Sequence, residues 1–170
     1  ASPHYYRKYP LETISANVDG LRNILEKYKN QKTNVVYFSS SEIYGDPPKD
    51  QIPTKESYRG NVSSIGPRSC YDESKRFCET LSYYYSNKFK IKIKIVRPFN
   101  NYGPGMSLHD KRLPADLAKS VVNNMDIILF SDGKPKRAFC YISDAITGYL
   151  QASTYPHFEI FNIGNDETEI

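Results

Sequence analysis

Between Pro10 and Gly164 the chain changes its apolar period repeatedly, and that alternation limits the folds open to it. Leu11, Ile14, Val18, Leu21, Leu25 and Tyr28 recur at three- and four-residue spacing, which predicts an amphipathic helix entered through Pro10. Asn34-Val35-Val36-Tyr37-Phe38 follows, β-branched and aromatic, as a short buried strand. A second helix is predicted over about 70–87, with Tyr71, Ser74, Cys78, Leu81 and Tyr85 along one stripe. Ile91 to Val96 alternates as a strand and is halted by Arg97-Pro98. Asn100 to Gly105 has turn chemistry, residues 112–124 read as helix, and 126–130 as a short strand. An extended run from Ala138 to Ile142, a helix capped by Ser143 or Asp144 and a strand at Ile160–Gly164 complete the series. Residues 1–9 and 46–68 read as loops. Helices alternating with short apolar strands predict one α/β domain over 1–170, built on a parallel sheet with helical crossovers. Ligands of such sheets bind beyond the carboxyl ends of the strands, where Ser39–Glu42, Asn100–Gly103 and the residues after Ile163 fall.

Charge and composition narrow the function classes. The net charge is +4, but the basic residues are scattered. Lys88, Lys90, Lys92 and Lys94 alternate with apolar residues and read as one solvated face of a strand, so no nucleic-acid partner is expected. No apolar run approaches a membrane span, and no membrane partner is expected. Cys70, Cys78 and Cys140 have neither an even count nor metal-ligand spacing, which favours a reduced, cytoplasmic setting without a metal. Cys70 reads as a packing residue rather than a nucleophile, and His4, His109 and His157 as surface residues.

Tyrosine and lysine four residues apart share a helix face, and an ammonium beside a phenol favours the phenolate. Three pairs have this spacing: Tyr28/Lys32, Tyr71/Lys75 and Tyr84/Lys88. The first and last straddle helix ends, whereas Tyr71 opens a helix after a long loop, about thirty residues beyond the serine-rich strand end. A serine hydroxyl next to a phenolate can relay the proton of a substrate hydroxyl while hydride leaves the same carbon.

Ser39-Ser40-Ser41-Glu42-Ile43-Tyr44-Gly45, then Tyr71-x-x-x-Lys75, Arg97-Pro98-Phe99-Asn100-Asn101-Tyr102-Gly103-Pro104, Asp132-Gly133-Lys134-Pro135-Lys136-Arg137 and Phe161-Asn162-Ile163-Gly164-Asn165 resemble the extended short-chain dehydrogenase/reductases. These are NAD-dependent epimerases, dehydratases and decarboxylases of nucleotide sugars. Gly60-Asn61-Val62 and Gly66-Pro67-Arg68-Ser69-Cys70-Tyr71-Asp72-Glu73 look most like the UDP-glucuronate decarboxylase branch. The resemblance implies a Rossmann-type doubly wound sheet. Its second half would lie over about 1–100, and part of a small substrate-binding region over about 101–170. It implies Tyr71 as base, Lys75 as its partner and a ligand of the nicotinamide ribose, and Ser40 as the catalytic hydroxyl. Ser41 and Glu42 occupy the positions that separate the branches, with Ser41 where dehydratases carry an acid. Asn17, Ser39 and Phe99 would lie along NAD, and Asn100 and Arg137 at the pyrophosphate of the nucleotide sugar. Arg137 suits that role on its own chemistry, as a guanidinium is a bidentate phosphate ligand. A homodimer through the helix starting at Tyr71 is also implied. The activities open on this resemblance are a decarboxylase forming UDP-xylose, a 4,6-dehydratase or a 4-epimerase, all through a 4-keto intermediate. A non-catalytic nucleotide-sugar-binding module is the alternative of another class.

Two departures stand out. No Gly-x-x-Gly-x-x-Gly or Gly-x-Gly-x-x-Gly array occurs, so the cofactor cradle of the family is expected elsewhere and this segment alone is expected to be inactive. Gly105 also stands where the decarboxylases usually carry arginine.

Overall fold

A computed structural model describes residues 2–128, 132–134 and 136–166. Helix α1 (Pro3–Lys8) leads into α2 (Pro10–Tyr28), followed by strand β1 (Asn34–Phe38) and a 3-10 turn (Ser41–Tyr44). After the long loop come α3 (Ser69–Phe89), β2 (Lys92–Pro98) and β3 (Asn101–Tyr102). Helix α4 (Leu113–Val122), β4 (Cys140–Tyr141), α5 (Ile142–Thr154) and β5 (Glu159–Ile163) complete the described elements.

β1, β2 and β5 form one parallel sheet in the order β1-β2-β5, with Phe38 opposite Val96 and Pro98 opposite Ile163. Helices α2 and α3 pack against each other and cover one face, where Leu21, Leu25, Tyr37, Cys78, Ile91, Ile93 and Ile95 make the core. Each of the larger aliphatic side chains sealed there contributes about 1.5–3 kcal/mol. Helix α5 packs on the sheet from the remaining elements' side, touching β1, β2 and β5. Gly148 of α5 allows this approach, since a Cβ there would stand 3.0 Å from Ile163. This is the Rossmann-like α/β architecture, and all three parallel strands bring their carboxyl ends to one edge.

Several expectations change. Residues 3–8, read as loop, form α1, whose six residues are too few to display a period and whose entry is set by Pro3. Residues 126–128 carry no strand, and 129–130 lie outside the described residues. Only Cys140–Tyr141 of the extended run pairs, parallel to Asn101–Tyr102. Helix α5 begins at Ile142 without a side-chain cap from Ser143 or Asp144. Lys94, placed on a solvated face, has no exposed surface. β2 is the central strand and α5 covers that face, so the Lys94 ammonium turns to the Asn34 side-chain carbonyl, 3.2 Å away.

Candidate active site

The serine run begins where β1 ends. Ser39 N–H donates to Val96 O at 2.8 Å, which carries the β1–β2 ladder one step past the strand. Ser40 is extended and caps the 3-10 turn, its Oγ accepting the Glu42 N–H at 3.2 Å. Tyr71 lies in the first turn of α3, near enough to the Ser40 hydroxyl for that group to favour its phenolate. The long loop therefore returns the chain so that the helix start meets the strand end.

Burial raises the Tyr71 phenol, opposed first by the nearby Ser40 hydroxyl; Glu42 and Asp72 add to the rise and Arg112 counters it. The expectation that Lys75 depresses it does not hold in this geometry. The Lys75 ammonium donates to Phe38 O at 2.7 Å and stands 5.8 Å from the centre of the Tyr71 ring, over its face and also 5.1 Å from the Tyr37 ring. Burial lowers Lys75 itself. The pair is thus brought together at the carboxyl edge, with the cation anchored to the strand end.

Four further neighbours surround Tyr71 through contacts that periodicity does not show. Tyr6 of α1 is 3% exposed and stacks on Tyr71, centroids 5.1 Å apart and planes at 13°. Cys70 reaches Tyr6 O through its Sγ at 3.4 Å, a packing role. Arg68 forms an ion pair with Glu42 and stands 3.7 Å from Asp72. Asp72 is 8% exposed and its pKa is raised to about 6, by burial first, then by Glu42 and Glu73 against the pull of Arg68. Periodicity sees contacts within an element, whereas these link residues 26 to 65 positions apart or across a helix start.

Asn17 donates through its Nδ2 to Ser74 Oγ at 2.8 Å, and Ser74 in turn donates to Tyr71 O at 3.0 Å. It ties α2 to the first turns of α3. Ser41 is half-buried at the start of the 3-10 turn. Phe99 follows β2, its N–H donating to Ile163 O at 2.9 Å and its ring 6.0 Å from that of Tyr44. Gly164 lies against it so closely that a Cβ would stand 2.8 Å from the Phe99 Cβ. Asn100 is exposed at the same edge with a positive φ of 38°, its Nδ2 donating to Ala138 O at 2.9 Å. Arg137 is exposed, its Nη1 3.4 Å from Lys136 O, and takes no part in the bonds around Tyr71.

A second polar network supports the same edge. Arg97, 5% exposed, makes two bonds to Glu79, at 2.9 and 2.6 Å, and donates to Tyr44 Oη at 2.6 Å and Glu56 O at 2.9 Å. Tyr44 donates to Asn162 Oδ1, and Asn162 donates to Thr54 O. β2, α3, the 3-10 turn, the long loop and β5 are thereby joined through one guanidinium.

The residues at this edge fit a nicotinamide nucleotide on one direct observation: the Ser39 hydroxyl is buried with no hydrogen-bond partner among the described residues. A buried orphan hydroxyl is costly unless something completes it. Lys75 and Phe99 flank the same strand ends, so Ser39, Lys75 and Phe99 are the side chains that would hold such a group.

The chain is similar to known proteins over nearly its whole length. UDP-glucuronic acid decarboxylase 1 of Arabidopsis thaliana is 40% identical over 165 residues, which is 97% of this chain and 38% of the relative. The chain thus spans less than half the length of that curated relative. A UDP-glucose 4-epimerase of Thermotoga maritima, solved with UDP-glucose, superposes over 100% of the chain and 54% of its own at a TM-score of 0.88 and 24% identity, a likeness of fold. A UDP-glucuronic acid 4-epimerase of Bacillus cereus, solved with UDP-glucuronic acid and NAD, covers 92% of the chain and 48% of its own at a TM-score of 0.68 and 28% identity. The family model described as the NAD dependent epimerase/dehydratase family matches residues 1–164, and the chain belongs to that family.

Proposed function

We propose that the protein modifies a nucleotide sugar with NAD through a 4-keto intermediate, and that the reaction is decarboxylation of UDP-glucuronate to UDP-xylose. The observation that carries the reading is the Tyr71 phenol, set near the Ser40 hydroxyl at the carboxyl edge of the parallel sheet with the Lys75 ammonium 5.8 Å from its ring centre. NAD, when bound, would supply the hydride acceptor and a cationic ring that favours the Tyr71 phenolate. Tyr71 takes the proton of the sugar C4 hydroxyl through or beside Ser40, and returns it when the ketone is reduced. A ketone at C4 makes a C5 carboxylate a β-keto acid, which loses carbon dioxide readily. Glu42 manages the proton at C5 or holds the ring, and Ser41 lines the same turn. Lys75, Ser39 and Phe99 hold the cofactor side, while Asn100 and Arg137 meet the pyrophosphate.

Ser41 supports decarboxylation over dehydration, because the side chain at that position offers no acid to expel water. Reduced thiols at Cys70, Cys78 and Cys140 suit a cytoplasmic setting, and no helix among the described residues is long and apolar enough to cross a membrane. By the same reading the protein pairs with a second copy of itself across α2 and α3. The test is incubation of the full-length gene product with NAD and UDP-glucuronate, dTDP-glucose or UDP-glucose, with products identified by mass. Loss of carbon dioxide from UDP-glucuronate is expected; loss of water from dTDP-glucose instead would replace decarboxylation with dehydration.

A further inference from the structure

Arg68 stands at a junction that the proposed chemistry does not use. Its backbone opens α3, since Tyr71 and Asp72 N–H groups donate to Arg68 O at 2.9 and 3.1 Å. Its side chain reaches back to the turn after β1 and bonds the Glu42 carboxylate, and its Nε is 3.7 Å from Asp72 Oδ2. One guanidinium therefore serves two carboxylates, one on each of the elements that carry Ser40 and Tyr71. Glu42 is fixed from its other end as well, by its N–H on Ser40 Oγ. A surface ion pair would be the plain alternative, since the Arg68 and Glu42 side chains are 40% and 42% exposed. Asp72 argues against it, being buried, with Oδ1 lacking any hydrogen-bond partner among the described residues. Arg68 is the cation that acts on Asp72, against the carboxylates of Glu42 and Glu73, and on α1 Tyr6 feels Arg68, Glu42, Asp72 and Arg7.

We infer that Arg68 is a positioning residue: by bridging Glu42 to Asp72 it fixes the Glu42 carboxylate beside Ser40 and Tyr71. The inference rests on the role proposed for Glu42. A planar fork can hold two carboxylates at once, whereas an ammonium offers a point charge without that geometry. Misplacing a reacting group by about 1 Å can cost on the order of 100-fold in rate.

The test uses the full-length protein with NAD and the variants Arg68→Gln, Arg68→Lys, Glu42→Gln and the Arg68→Gln/Glu42→Gln double variant. With UDP-glucuronate, Arg68→Gln should lower kcat by about 10–100-fold with KM little changed. Arg68→Lys should recover part of the loss, and Arg68→Gln should add no further loss in the Glu42→Gln background. Carboxyl-carbon NMR of Asp72, which needs no turnover, should show its titration midpoint moving upward in Arg68→Gln as the cation is removed. Raised KM with unchanged kcat would make Arg68 a substrate ligand, and independent losses or an unmoved Asp72 titration would dissolve the bridge; either overturns the inference. Should the unaltered protein convert no sugar nucleotide, the proposed function fails by itself, while the Asp72 titration still decides the bridge.

Discussion

Asp72 sits one residue past the proposed base and is held above the ordinary carboxylate range, from 3.8 to about 6. The sign of its effect on stability follows. Below 3.8 the group is neutral in both the folded and the unfolded chain and costs nothing. As pH rises through 3.8 to about 6, the unfolded chain ionises first, and folding loses free energy that stays lost at higher pH. Asp72→Asn should therefore stabilise the protein by on the order of 1–3 kcal/mol near pH 8 and leave it unchanged near pH 3. Urea midpoints at the two pH values measure this, and an equal effect at both would show that burial of the charge is not the cause. At this scale the sequence revealed what lies along one element. Tyr71, Lys75 and Ser40 stood out through spacing and order, and the structure brings them together. Tyr6, Arg68 and Asp72 were given no role of their own, because stacking and ion pairing across elements leave no period. The depressed phenol expected from the Tyr71–Lys75 spacing failed for a related reason. Spacing places an ammonium near a ring, but the Phe38 carbonyl determines where the ammonium points.

Between elements, the 46–68 loop is held by specific polar bonds rather than by a core of its own. Arg76 donates to Ile43 O and Arg59 O, and Gly45 bridges Asn61 where a Cβ would stand 1.9 Å from Asn61 O. Arg97 and Glu79 anchor the far side, with side chains 6% and 12% exposed. Removing one member of a buried pair strands the other charge, at a cost of about 3–5 kcal/mol. Glu79→Ala should lower the unfolding free energy from urea titration by that order and speed proteolysis between Asp46 and Arg68, both read against the unaltered protein. Unchanged cleavage with lowered stability would mean that the loop is held elsewhere. Long periodic elements such as α2, α3 and β2 were legible within a few residues. The six-residue α1 and the two-residue β3 and β4 were not, since so few residues cannot express a pattern. Lys94 misled because strand alternation names two faces without saying that a helix covers each of them: the lysine lies on the face that α5 covers.

For the whole molecule, α2 and α3 leave Leu11, Ile24, Phe77 and Tyr84 between 46% and 75% exposed. Exposed apolar groups on two adjacent helices suit a helix-to-helix pairing of two copies. Ile24→Glu with Tyr84→Glu should convert a dimer of the full-length protein to monomer by light scattering; an unaltered protein that is already monomeric contradicts the pairing. The parallel sheet with helical crossovers was readable because helix–strand alternation admits few topologies, while its doubly wound form was what the family resemblance implied. The site at the carboxyl edge followed from that topology. The proposed branch of chemistry rests on Glu42, which the family resemblance marked, and on Arg68, whose ion pair with it only the folded chain reveals. The central claim is that the Tyr71 phenol moves the proton of the sugar hydroxyl. Turnover of UDP-glucuronate by full-length Tyr71→Phe, folded and carrying NAD, measures it most directly. A loss of at least about 100-fold in kcat is expected, and turnover equal to that of the unaltered protein would remove Tyr71 from the mechanism.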